Sequence, residues 1–321
     1  MPPDCCGVGI AAVTGTVVLA LLPIVVLIGL GTCLRARRFL DEGFWQQAER
    51  LGYFVLLPSL FFHGLATADL RALPVAELAA TLVLSTLAVA AAVVALRPLT
   101  QLDGPSFTSL FQGSVRFNNY VGVTLAMGLF GAKGIALAAI CNAAIVPTVN
   151  VLCVLVFARY GSARLSGRGI ARHLATNPLV LSSLGGIAFQ FLGLGLPPGL
   201  EPALRTLGAA SLPLGLLCVG AALDFGAARQ WVAPVAFSSF AKFVASPTAT
   251  LAVGLSFGLS GPALATALLF QALPTASSAY IMARQLGGNA PLMAGITAAQ
   301  TVLALVALPL VLIGLDHWIA S

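Results

Sequence analysis

The sequence predicts an all-α membrane protein: ten transmembrane helices in two inverted five-helix repeats, with the fourth and ninth helices broken where they cross. Three observations predict this class. Of the 321 residues 59% are hydrophobic and 8% charged, whereas soluble domains carry roughly 25% charged residues. Apolar runs long enough to cross a bilayer as helices, about 20 residues each, recur from one end of the chain to the other. Short motifs also repeat in the same order in both halves. The short alternating segments of a β-barrel are absent.

Taken in order, the spans are 11–34, 44–66, 75–97, 106–130, 134–158, 177–196, 203–223, 231–258, 262–285 and 291–315. The first is followed by Arg35, Arg37 and Arg38. A cleaved signal peptide has the reverse order, basic before apolar, so this run stays as a span with the N terminus outside. Loops after odd-numbered spans are then cytoplasmic. They hold Arg97, Arg159, Arg164, Arg168, Arg172, Arg229 and Arg284 as well, against Arg71, Lys133 and Arg205 on the other side. That asymmetry is the positive-inside pattern, and an even span count puts the C terminus outside too.

The longest cytoplasmic connection, 159–176, separates a first repeat at 1–158 from a second at 177–321. Pro58 and Asp69 close span two as Pro213 and Asp224 close span seven. Leu110-Phe111-Gln112 in span four recurs as Leu269-Phe270-Gln271 in span nine, each after a Gly-Pro pair. Five spans are an odd number, so the second half enters the membrane upside down. Inverted repeats are characteristic of secondary transporters, whose sites lie near the midplane where discontinuous helices meet.

Other function classes find little support. The net charge of +6 is scattered singly between apolar runs, which argues for topology and against nucleic acid. Six cysteines without CxxC spacing suggest neither a metal site nor a disulfide framework, and no cofactor is implied. There is no HExxH, no pair of intramembrane aspartates and no Ser-His spacing on a shared face, so an intramembrane enzyme is not expected.

The chemistry concentrates in spans four and nine. Pro274 lies well inside span nine, where it removes the hydrogen bond to the Phe270 carbonyl and kinks or breaks the helix. A freed carbonyl in hydrocarbon needs protein or a wet cavity around it. Thr275, Ser277 and Ser278 follow at once; a quietly packed proline kink is the alternative. Aligning Gln112 on Gln271 sets Asn118 and Asn119 opposite Ser277 and Ser278, so two polar patches face each other across the pseudo-twofold axis.

Arg116 supplies the charge. A cation within a span costs about 2.5–3.5 kcal/mol on insertion scales and marks a functional site by default; an interfacial, snorkelling arginine is the other placement. Lys242 in span eight is a second buried cation, and Asp69 and Asp224 sit only at span ends. Two unpaired cations beside amides and hydroxyls suggest an anionic substrate, aided by helix N-termini near Asn119 and Ser277. The candidate site comprises Arg116, Asn118, Asn119, Tyr120, Gln271, Pro274, Thr275, Ser277 and Ser278. His63, Gln112, Asn142 and Lys242 are cavity or coupling candidates. A structural hydrogen bond is the other role for His63, and helix–helix hydrogen bonding for Asn142, Asn150 and Gln300.

The stretches ALLPIVVLIGLG with RARRFLDEGFW, LLPSLFFHGLA, FQGSVRFNNYVG, NPLVLSSLGG, LPLGLLCVGAALDF and LPTASSAYIMARQLGGNAPLMAGITAAQTVLALVALPL carry a resemblance over nearly the whole chain. It resembles the auxin efflux carrier family, specifically its bacterial members, among which malonate transporters are the named type. The resemblance implies residence in the bacterial inner membrane. It also implies a scaffold of spans 1, 2, 6 and 7, and a transport domain of spans 3–5 and 8–10 that moves like an elevator. It implies a homodimer contacting through the scaffold, a carboxylate-binding amide at Asn118 or Asn119, and a crossing point at Pro274. Plant auxin carriers have a proline at the span-four crossing where this chain has Arg116-Phe117-Asn118-Asn119. The arginine favours a smaller, more highly charged acid, a dicarboxylate such as malonate, over auxin. A sodium-coupled organic-anion carrier of the bile-acid type is the alternative, with Gln112, Asn118, Gln271 and Ser278 as oxygen ligands.

Overall fold

A computed structural model describes residues 10–69, 73–161, 176, 178–223, 230–276 and 278–314. The described residues are helical or in short connections, and no strand occurs among them. The helices are α1 (Ile10–Ala36), α2 (Glu42–Leu51), α3 (Leu57–Ala66), α4 (Val75–Ala95), α5 (Arg97–Thr100), α6 (Gly104–Val115) and α7 (Asn119–Tyr160) in the first half. The second half holds α8 (Pro178–Phe191), α9 (Leu200–Ala221), α10 (Val232–Phe240), α11 (Ser246–Ser256), α12 (Gly261–Gln271), α13 (Ser278–Leu286) and α14 (Ala290–Gly314).

Four stretches are long and apolar enough to cross a membrane: Val75–Ala95, Gly104–Tyr160, Leu200–Ala221 and Ala290–Val311. Leu22–Ala36, Pro178–Phe191 and Gly261–Gln271 are apolar but shorter. The 57-residue stretch from Gly104 to Tyr160 is not one rod. It is interrupted between α6 and α7, and α7 itself turns at Gly131, whose φ of 58° and ψ of −136° no helix contains. A side chain is strained at that φ, so glycine takes the corner. Beyond it the chain folds back so closely that a Cβ on Gly134 would strike the carbonyl of Ala126. In a straight helix those residues stand about 12 Å apart.

Two other helices are continued through π turns with a common cause. Gly52–Leu56 joins α2 to α3 and Ala241–Ala245 joins α10 to α11. In each case a proline, Pro58 or Pro247, sits at the second position of the helix that follows. Proline has no N–H to give to the preceding turn. The residue just before it shifts register and donates five residues back, Leu57 to the Gly52 carbonyl and Ser246 to the Ala241 carbonyl. A serine hydroxyl serves a neighbouring carbonyl in both, Ser59 to Val55 and Ser246 to Ala241.

Two packing groups result. In one, α1 lies on α9, α9 on α3 and α3 on α8. Close approach fixes the α1–α9 contact: a Cβ on Gly220 would collide with the Ile28 carbonyl, and Thr32 donates to the Gly220 carbonyl at 2.8 Å. Small residues at such contacts are how apolar helices gain packing without a hydrophobic driving force. In the other group, α4, α6, α7, α10, α11, α12 and α14 enclose fully buried Phe107, Phe111 and Phe270. The first half of α7 lies along the seam. The Tyr120 ring fills the space where Gly215 of α9 lacks a Cβ, and its hydroxyl reaches Gly52.

Candidate functional site

Sequence places three polar or aromatic residues after Val115, and there the helix stops. Arg116 is extended (φ −74°, ψ 158°) and so is Asn118 (φ −93°, ψ 106°). Helix α7 then starts with free N–H groups, and Asn118 caps them: its Oδ1 accepts from Tyr120 N at 3.1 Å and Val121 N at 3.3 Å. The cap fixes the amide's orientation. Its oxygen is spent on the backbone, so its Nδ2 is left buried with no acceptor.

The second interruption includes Ala272–Ala276, ahead of α13, with Pro274 buried within it. Gln300 of α14 bridges both interruptions. Its Oε1 accepts from Thr275 N at 3.0 Å, and its Nε2 donates to the Gly113 carbonyl at 3.0 Å. That carbonyl would otherwise have served Phe117, which has left the helix. The first interruption also touches the last turn of α12: the rings of Phe117 and Phe270 lie 5.7 Å apart. Arg116 Nη1 reaches Met282 Sδ of α13 at 3.4 Å and donates to Asn150 Oδ1 of α7 at 3.1 Å.

A cavity of about 910 Å³ opens beside this junction. Arg116, Asn118, Asn119, Tyr120 and Ser278 are among the residues that line it. Arg35, Glu42, Arg50 and Arg284 also line it, and the Arg35 guanidinium pairs with Glu42 at 3.2 Å. Along residues 116–120 the buried polar atoms without a hydrogen-bond partner are Arg116 Nε, Asn118 Nδ2, Asn119 Oδ1 and the Tyr120 hydroxyl. Two of these can only donate. Among the described residues no carboxylate is bonded to Arg116.

The remaining predicted residues lie elsewhere. Gln271 does not line the cavity; its Nε2 donates to Thr86 Oγ1 at 2.7 Å, Ser85 Oγ at 3.2 Å and the Leu82 carbonyl at 3.3 Å, joining α12 to α4. Pro274 and Thr275 are buried at the junction behind the wall, and Ser277 lies outside the described residues. Gln112 is fully buried with both amide atoms unpartnered, and Asn142 donates to the Ala138 carbonyl of its own helix. Lys242 sits fully buried in the second π turn, its Nζ without a partner. His63 faces Glu201 of α9 at 3.8 Å, away from the cavity.

Sequence reasoning missed how Asn150, Met282 and Gln300 serve the site. Asn150 and Gln300 do make the interhelical hydrogen bonds expected of them, and those bonds hold the two interruptions. The available signal was an amide inside an otherwise apolar run. Among the described residues no group of three His, Cys, Asp or Glu could hold a metal ion.

Comparison with known proteins agrees with a membrane carrier. The model of the membrane transport protein family matches residues 16–312. A Rhizobium meliloti protein named "Putative malonate transporter" is 27% identical over 251 residues, 73% of this chain and 75% of its own length. An uncharacterized transporter of Methanothermobacter thermautotrophicus is 26% identical over 294 residues, 90% of this chain and 95% of its own. A match over most of its length, joined to a polar junction of interrupted helices, shows that the chain belongs to this membrane transport family, that of the auxin efflux carriers.

Proposed function

We propose that the protein is a secondary transporter that moves a small organic anion, a carboxylate or a dicarboxylate such as malonate, by elevator-type alternating access. The observation that carries it is the capped amide. Asn118 gives its oxygen to the α7 N-terminus, which leaves its buried NH₂ without an acceptor, and Arg116, two residues earlier on the same cavity lining, is bonded to the neutral Asn150 and Met282. Buried donors and a half-buried cation without a counter-charge cost free energy unless an acceptor arrives. A carboxylate supplies it, and the α7 N-terminus adds partial positive charge at the same place. The malonate assigned in the name of the Rhizobium relative fits this chemistry.

The helical segments fit ten spans in two inverted repeats, with α6–α7 and α12–α13 as the paired broken spans. The group α1, α3, α8, α9 then forms the scaffold and the remainder the transport domain, as residues 1–158 and 177–321 each contribute to both. Tyr120 at the seam faces two glycines, a smooth surface over which one group can slide. With both termini outside, Arg35, Arg50 and Arg284, which line the cavity, belong to its cytoplasmic end in this reading. A homodimer contacting through the scaffold completes the proposal.

The sodium-coupled alternative needs Gln112, Asn118, Gln271 and Ser278 to converge as oxygen ligands. The Asn118 oxygen is committed to a cap, Gln271 is bonded to α4, and Ser278 is the only other member on the cavity wall. Uptake of radiolabelled malonate into proteoliposomes, with and without sodium, tests both readings. Sodium-independent, saturable uptake is the expected result; a strict sodium requirement supports the alternative.

A further inference from the structure

Arg116 is held by neutral groups alone. Its Nη1 meets Asn150 Oδ1 at 3.1 Å and Met282 Sδ at 3.4 Å, and the thiol of Cys153, one turn beyond Asn150, also lies against the guanidinium. Its Nε is buried without an acceptor. The residue as a whole is half-buried, and a charge drawn out of water is normally paired. An aspartate at position 150 would reach as far as the asparagine and would close the pair, yet the chain has the amide.

The geometry points to Asn150 as a positioning residue: it holds Nη1 and thereby presents the edge formed by Nε and Nη2 to one carboxylate of the transported anion, without cancelling the charge. This rests on the anion-carrier reading above. A guanidinium is planar with a fixed fork, so tying one nitrogen orients the whole group. The edge left open is the one that matches a carboxylate with two parallel N–H···O bonds. Asn118 Nδ2, unpartnered on the same wall, is placed to take a further lone pair. The arrangement also couples three pieces of chain, because Arg116 lies in the first interruption, Asn150 beyond the Gly131 corner and Met282 after the second interruption. Asn150 is 5% exposed and lines the cavity, so it is fixed by packing yet adjacent to ligand.

Two substitutions separate positioning from mere support. Asn150→Asp replaces the neutral acceptor with a built-in carboxylate that competes with substrate. Asn150→Ala removes the tether and leaves the charge. The measurements are the shift in Tm on adding sodium malonate and radiolabelled malonate counterflow in proteoliposomes. Asn150→Asp is expected to melt no lower than the unsubstituted protein and to lose the malonate-induced shift. Its affinity falls about 100-fold, equivalent to two tenfold steps in binding. Asn150→Ala raises KM roughly tenfold while the maximal exchange rate stays within about threefold, the pattern of lost binding without lost chemistry. An Asn150→Asp protein that binds malonate within about twofold of the original, or an Asn150→Ala protein with unchanged KM, overturns the inference while leaving the carrier intact. If Asn150→Asp does not fold, the KM of Asn150→Ala decides alone. Absence of both shift and counterflow in the unsubstituted protein removes the dicarboxylate reading, and the inference with it.

Discussion

Gln300 donates from Nε2 to the carbonyl oxygen of Gly113 at 3.0 Å, and its Oε1 accepts from the backbone of Thr275, also at 3.0 Å. One amide thus serves the broken ends of two helices that are more than 150 residues apart in sequence. In a bilayer these backbone groups have no water to turn to. Replacing Gln300 with Leu leaves a buried donor and a buried acceptor unsatisfied, at a cost of roughly 2–4 kcal/mol. Thermal unfolding in detergent should fall accordingly, and hydrogen exchange at the two interruptions should rise. Unchanged exchange there would show that the junction is held by something else.

Asn118 has two jobs that substitution separates. Asn118→Asp keeps an oxygen for the Tyr120 and Val121 N–H groups but replaces the free NH₂ with a second carboxylate oxygen. It should fold with a stability within about 1 kcal/mol of the original, the scale of a helix cap. It should also lose anion uptake, because like charges then meet in the cavity. Asn118→Ala should lose both cap and uptake. Full uptake by Asn118→Asp would assign the residue to capping alone.

How much of this was legible in the sequence depends on the kind of residue. The all-helical, membrane-crossing character was, because apolar length is a local property, and four stretches among the described residues are long and apolar enough to span. The interruptions were also legible, from Pro274 at one and from the polar triad after Val115 at the other. Partner choice was not. Gln271 matches Gln112 in the repeat, yet it binds α4 while Gln112 has no partner, since the hydrogen bonds of an amide depend on which helix packs beside it. The corner at Gly131 falls in the connection expected between spans 106–130 and 134–158, although it is so tight that the helix runs on through it. Asn150 stands far from Arg116 in the chain, and only the corner brings them together.

Lys242 is a buried ammonium with no acceptor among the described residues. A buried charge without a partner costs free energy, so an apolar side chain of similar length in its place is stabilising. Lys242→Met is therefore expected to raise Tm. A lowered Tm would reveal a partner that holds the charge. Uptake by the same variant shows whether the charge serves transport.

At the seam, the Tyr120 ring occupies the space beside Gly215. Gly215→Val should drive a side chain into that ring and jam movement of α7 past α9. Uptake should fall at least tenfold, an added barrier of about 1.4 kcal/mol or more. Pairing it with Tyr120→Ala should restore part of the rate. A Gly215→Val protein that transports normally would show that the two groups do not slide on each other here.

The most direct measurement concerns Arg116 itself: radiolabelled malonate counterflow in proteoliposomes bearing the original protein or Arg116→Ala, with folding checked by thermal melting in each. If the guanidinium binds the anion, exchange in the original is saturable and Arg116→Ala abolishes it while the protein remains folded. Exchange by Arg116→Ala at the original rate and KM would contradict an anion site at the junction of the two broken helices.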